Sequence, residues 1–254
     1  MQKLLFASAF ILLSFSVFGQ KWKLTRYEAI LGVGTANYFG DIGSVTTTNN
    51  WYGLKDISIR GIRPSFLAGA RYKITQETSV KLNVILLMLG ATDKSGTNPI
   101  RNYAFNTFGL EHSVQMEYSF LSDDSRRGSF ALYNRRGMLN NYSKIGIYIL
   151  GGIGGLVYYP FMIKDSVYDK RNETFNESLS YTAVTFGGLG AKMLVNNSMA
   201  FSVEFTGRYA MTDLLDGFTS RYSKFNDVYY FVNFNIIYRI KTSRKGYPII
   251  FKSY

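Results

Sequence analysis

The feature that most constrains this chain is a long run of strict two-residue alternation. From Phe108 to Phe120, Phe108, Leu110, His112, Val114, Met116, Tyr118 and Phe120 share one parity. Gly109, Glu111, Ser113, Gln115, Glu117 and Ser119 share the other. Successive strand residues point to opposite faces of a sheet, so this segment has one apolar face and one polar face. A helix would scatter the same residues around its circumference. At 13 residues the run exceeds the ~5–6 of an ordinary soluble strand and meets the ~9–11 that a tilted strand needs to cross a bilayer.

The pattern recurs. Val228, Tyr230, Val232, Phe234, Ile236, Tyr238 and Ile240 alternate with Tyr229, Phe231, Asn233, Asn235, Ile237 and Arg239. Phe201, Val203, Phe205 and Tyr209 oppose Ser202, Glu204, Thr206 and Arg208, and Val80 to Met88 oppose Lys81 to Leu89. Four less regular segments, Tyr27–Phe39, Ile62–Ile74, Lys144–Tyr159 and Tyr181–Val195, complete a set of about eight. The fold expected is all-β: a membrane-spanning antiparallel up-and-down barrel over residues 20–240. Dispersed apolar residues, 20 Tyr, 20 Phe and 24 Gly against 4 Pro fit such a barrel rather than helical spans.

Connection lengths give the topology. Thr75–Ser79 and Asn196–Ser198 are tight; Gly40–Gly61, Thr92–Ala104, Pro160–Ser180 and Thr212–Asp227 are long and polar. Outer-membrane barrels have short periplasmic turns and long external loops, which puts both termini in the periplasm. Ser122–Ser143 breaks the rule by being long on the periplasmic side. Residues 1–19 read as a cleavable signal peptide, with Lys3, an apolar run from Leu4 to Val17, and a Val17-Phe18-Gly19 site before Gln20. The expected location is therefore the outer membrane. Aromatic residues near strand ends, Tyr27, Tyr72, Tyr118, Phe120 and Tyr238 at one end and Tyr38, Phe39, Tyr158, Tyr159 and Tyr209 at the other, read as interfacial girdles.

Candidate chemistry is sparse. The absence of Cys excludes disulfides, thiolate sites and Cys nucleophiles. Gly32-Val33-Gly34, Gly151 to Gly155 and Gly187 to Gly190 lack the following helix that a dinucleotide fingerprint requires, so they read as small residues easing crowding. His112, the only histidine, cannot build a His-cluster metal site. Its neighbour Ser113 falls on the opposite face, against a lipid-hydrolysing His–Ser pair. Asp123-Asp124 and the triplets beginning at Asn172 and Asn176 lack the spacing of an oxygen cage and read as solvated loop residues. Glu28, Arg71, Lys81, Glu111, Glu117, Lys144, Glu204 and Arg208 fall on polar faces and are expected to pair inside a filled lumen. No catalytic residue, cofactor or metal is assigned.

The net charge of +12 suggests an anionic recipient. For an exported chain, lipid headgroups, peptidoglycan or an acidic protein fit better than nucleic acid. Two periplasmic segments concentrate the charge. Ser122–Ser143 carries Arg126, Arg127, Arg135 and Arg136, and the tail of residues 241–254 carries Lys241, Arg244, Lys245 and Lys252 around Tyr247, Ile249, Ile250 and Phe251. A basic surface around an apolar anchor suits protein docking.

Asn37-Tyr38-Phe39-Gly40-Asp41-Ile42-Gly43 and Thr212-Asp213-Leu214-Leu215-Asp216, followed by Ser220-Arg221-Tyr222, resemble segments of the PorG-like outer-membrane barrels of Bacteroidetes. That resemblance covers the mature chain. It implies a non-enzymatic component of the type IX secretion system, seated above a periplasmic ring of a lipoprotein and its partner. The alternatives are a small channel or adhesin of the OmpA/OmpX type and, third, a lipid-modifying enzyme.

Overall fold

The computed structural model describes residues 21–43, 61–93, 103–121, 145–163, 173–220, 226–243 and 247–249. The expected signal peptide, Lys144 and most of the two basic segments lie outside them. Ten strands occur among the described residues: β1 (Tyr27–Phe39), β2 (Arg63–Lys73), β3 (Thr78–Thr92), β4 (Ala104–Leu121), β5 (Ile145–Met162), β6 (Glu173–Phe175), β7 (Ser180–Leu194), β8 (Met199–Ala210), β9 (Phe218–Ser220) and β10 (Val228–Ile240). Eight of them close a barrel in the order β1-β10-β8-β7-β5-β4-β3-β2. Every neighbouring pair is antiparallel, and β1 meets β10 from Tyr27↔Ile240 to Phe39↔Val228.

Side chains close the tight turns. Thr75 Oγ1 accepts the amides of Glu77 (3.2 Å) and Thr78 (2.9 Å) between β2 and β3. Asn196 Oδ1 accepts those of Ser198 (2.9 Å) and Met199 (2.7 Å) between β7 and β8. Such local bonds make Thr and Asn effective turn formers.

Parity holds around the wall. Phe66, Leu82, Val84, Leu86, Phe108, Val114, Phe201, Val203 and Phe234 are exposed on the exterior. Lys81, Glu111, Gln115, Glu204, Asn233 and Asn235 are buried inside. A closed sheet leaves no open edge in lipid, and an apolar exterior around a polar lumen makes the chain an outer-membrane β-barrel.

Two expectations need correction. Tyr38 and Tyr158 are 8% and 2% exposed and belong to the interior, not to a girdle. Their parity places them there, Tyr38 with Glu28 and Ile30, Tyr158 with Tyr148 and Leu156. Tyr72, Tyr118, Phe120 and Tyr238 at one end and Tyr159 and Tyr209 at the other are exposed on the exterior; Tyr27 and Tyr72 lie 5.1 Å apart, and Tyr118 meets Phe120 edge-on at 5.4 Å. The other correction concerns the outer loops, which are not simply polar and solvated. β6 and β9, from two different loops, pair as a small sheet, Glu173↔Ser220 to Phe175↔Phe218. The loop before β9 turns at Gly217 (φ +73°) and buries Leu215 and Phe218 completely or nearly so.

Glycine function is mixed. A Cβ at Gly190 would stand 2.3 Å from the Tyr148 ring, so that glycine gives the ring its place across the wall. Gly151 and Gly187 meet nothing within ordinary contact except backbone, so crowding does not explain them.

Candidate functional site: a filled lumen with two unlike ends

Glu28 organises the end of the barrel at which the chain enters β1, the end expected to face the periplasm. On β1 it lies opposite Arg239 on one side and Arg71 on the other. Its carboxylate receives Arg71 (2.9 Å), Lys73 (3.2 Å), Lys192 (2.8 Å) and Arg239 (3.5 Å). Arg71 also reaches Glu117 (2.8 Å) and Glu204 (3.4 Å), and Lys81 binds Glu204 at 2.8 Å. Neutral donors occupy remaining lone pairs: Ser79 and Gln115 donate to Glu117 (3.0 and 2.8 Å), and the Tyr148 hydroxyl to Glu204 (2.8 Å). Buried charges persist when paired and hydrogen-bonded in this way. The expected pairing of interior charges is thus present for every residue singled out except Lys144, which is not among the described residues.

Farther up, Asn83 donates to Gln115 (3.1 Å) and Asn235 to Ser202 (3.2 Å). Above them Arg208 pairs with Glu111 at 2.9 Å. Its guanidinium lies 4.7 Å from the Phe186 ring centroid and 4.4 Å from that of Phe231, a cation held between aromatic faces. The Tyr229 hydroxyl donates to the same Glu111 at 2.8 Å.

The outer mouth is apolar and acidic. Ile42, Leu89, Tyr103, Phe105, Leu156, Leu215 and Phe218 form one buried cluster. The Tyr38 hydroxyl lies 2.9 Å from Asp216 Oδ2 and 2.6 Å from Asp227 Oδ1. The other oxygens of these acids accept backbone amides, Asp216 Oδ1 from Phe218 (2.9 Å) and Asp227 Oδ2 from Leu215 (2.8 Å). The Thr107 hydroxyl donates to the Leu215 carbonyl at 2.5 Å, tying the loop to β4. Asp216 and Asp227 lie in the loop beyond the spans. Burial raises the Asp216 carboxyl to about 8, with Asp41 and Asp213 adding negative charge and the Phe218 amide and Tyr38 hydroxyl opposing. Burial and then Asp216 hold Asp227 well above the usual carboxylate range.

The two segments that carried the family resemblance therefore meet: Tyr38 belongs to the first and Asp216 to the second. Gly40 fits the same place, since a Cβ there would stand 2.2 Å from Asp227 Oδ1. Asp227 was not singled out from sequence; its position directly before the last strand gave no chemical signal.

His112 is exposed on the lipid side and stacks on Tyr181 (centroids 6.0 Å, 20°), while Ser113 is buried in the lumen. The wall separates them. Of the candidate docking residues, only Lys241 and Tyr247 lie among those described; Arg126, Arg127, Arg135, Arg136, Arg244, Lys245 and Phe251 do not. Lys241 is exposed, and Tyr247 is 71% exposed. The tail here is hairpin-like: the Ser243 amide donates to the Tyr247 carbonyl and the Ile249 amide to that of Lys241, both at 2.8 Å. The Thr242 amide donates to Leu24 at 2.8 Å, fastening this hairpin to the segment that enters β1.

No protein-family model and no curated protein matches the chain. Among solved structures it is similar to Neisserial surface protein A, at 9% identity over 84% of this chain and 96% of that one, with a TM-score of 0.45. It is also similar to the attachment invasion locus protein Ail of Yersinia pestis (12% identity, 85% and 98% covered, TM-score 0.41). A third is outer membrane protein OprG of Pseudomonas aeruginosa (11%, 85% and 97%, 0.38). The class of this protein, a small eight-stranded outer-membrane barrel, stands on its own closed sheet and apolar exterior.

Proposed function

We propose that this is a sealed, non-enzymatic barrel of the OmpX type that acts as an adhesin, through its outer loops and not through a pore. The observation that carries the reading is the lumen, filled by the Glu28 network below and by Leu215 and its neighbours above. Eight-stranded barrels have interiors that side chains nearly fill. The small β6–β9 sheet gives the outer loops a framework on which to display a binding surface. Planar-bilayer recording of the purified barrel at neutral pH should give no steady unitary conductance; a reproducible channel would sink the sealed reading. Shortening the chain at residues 164–172, between β5 and β6, and at residues 221–225, between β9 and β10, should abolish cell-surface adhesion and leave the barrel folded.

One observation favours a second reading. The exposed Tyr247 and the 48% exposed Ile249 sit on a hairpin fastened at the periplasmic face, as a docking surface requires. With the PorG-like resemblance, this supports a structural component of a type IX secretion or other envelope machine, contacting a periplasmic ring or lipoprotein. Photocrosslinkers at Arg135 and Tyr247 in intact cells would capture a periplasmic protein in that case. Crosslinks confined to the outer loops would leave adhesion as the sole reading.

A further inference from the structure

At the outer mouth, three oxygens stand in a row: Asp216 Oδ2, the Tyr38 hydroxyl and Asp227 Oδ1, spaced 2.9 and 2.6 Å. A tyrosine hydroxyl has one proton and can donate it to one acceptor. The other contact then brings two oxygens to hydrogen-bond distance with no proton between them, unless a carboxyl carries one. Both remaining carboxyl oxygens already accept amides, from Phe218 and Leu215, so the acids cannot turn away without leaving those amides unmet. All three side chains are buried. Among the described residues, the groups facing them add no compensating cation: Asp41 follows β1, Asp213 is on the same loop as Asp216, and Tyr158 comes from β5 with its hydroxyl toward Thr212 and Ser180. We infer that the Asp216–Tyr38–Asp227 row is a proton-held latch, which keeps residues 212–220 seated in the outer mouth and lets them go when that proton is lost.

The latch holds the plug directly. The two amides it binds belong to Leu215 and Phe218, the apolar residues that fill the mouth. Two like charges in one buried site cannot both ionise cheaply, which is why the pair retains a proton. A carboxyl raised on folding adds stability that is fully present below its unfolded value near ~4 and is lost as pH rises through its folded value. Burial carries Asp216 to about 8 and holds Asp227 well above the usual carboxylate range, so the latch is closed in acid and weakens as pH rises through neutrality. This inference does not depend on the adhesive or docking role; it concerns only the seat of one loop.

The test is hydrogen exchange of the full chain in lipid nanodiscs between pH 5 and 9, with rates corrected for intrinsic pH dependence. Protection of the Leu215 and Phe218 amides should fall by up to about tenfold per pH unit for each proton retained as pH rises toward the folded value and level off above it, while strand amides of β3 and β4 stay protected. Asp216→Asn and Asp227→Asn each supply an amide donor toward Tyr38 in place of the proton. They should keep the loop protected and flatten the pH dependence. Tyr38→Phe should lose the protection at every pH. Flat protection of the native chain from pH 5 to 9 would overturn the inference, whether or not the variants fold. A native slope that persists unchanged in both Asn variants would overturn it too.

Discussion

The two ends of this barrel solve the same problem by opposite means. On the sealed reading proposed above, both stop water and solutes from crossing the barrel. At the end expected to face the periplasm Glu28 is surrounded by Arg71, Lys73, Lys192 and Arg239, interlocked through further acids. At the other end acids meet acids, in the row inferred to share a retained proton, and the mouth is filled by apolar side chains around Leu215. The difference teaches what each seal depends on. The lower one rests on charge balance within the wall itself and the upper one on a loop held in place by a few bonds.

The largest effect expected from breaking this contrast is at Glu28. Glu28→Ala leaves several buried cations without their common partner and should cost about 3–5 kcal/mol in urea unfolding from vesicles. A cost below ~1 kcal/mol would mean that water enters and screens the lower end. The wall between the ends gives the next largest effect. Val114→Arg puts a charge in lipid and should cost ~2–4 kcal/mol in the same assay, and Gln115→Arg, inside, should cost less. Equal damage from the two would contradict the assignment of faces. Tyr38→Phe comes third. It leaves buried acceptors short of a donor, at roughly 1–3 kcal/mol, and the loss should be confined to loop protection without altering the lower strands. The smallest effect is at the tail. Removing residues 241–254 should leave insertion into the membrane largely intact and stability within about ±0.5 kcal/mol, measured by heat-modified gel mobility and by unfolding. Failure to insert would show that the tail, not β10, is the assembly signal.

The wall was legible in the sequence because a strand's parity is a local property. Alternation alone assigned Val114 to lipid and Gln115 to the lumen, and the threonine and asparagine turns marked where strands reverse. Pairing inside the lumen was legible as a class but not by partner. Glu28 and Lys192 meet across the barrel at 2.8 Å, and only closure brings them together. Tyr38 and Tyr158 were misplaced because nearness to a strand end was weighed above parity. The β6–β9 sheet could not be seen at all, since three-residue strands in separate loops carry no periodicity of their own. The latch was half visible: two motifs were noticed as text, but what joins them is Asp227, an isolated acid whose role exists only once β10 lies beside β1.

That adjacency of first and last strands has a kinetic consequence. Every other strand pairing of the barrel joins strands near in sequence, each able to form as a hairpin when its neighbour arrives. The seam Tyr27↔Ile240 spans nearly the whole chain and bears the greatest loop-closure entropy. Zippering can therefore run around the circumference and leave one event, the joining of β1 to β10, as the committing step. The segments that flank β1 and β10 are already side by side there, with the Thr242 amide bonded to the Leu24 carbonyl at 2.8 Å. A linker joining them, with new ends cut at Asn196–Ser198, would move that committing step to a different seam without changing the finished barrel. Comparing assembly rates of the two connectivities would show whether closure sets the pace.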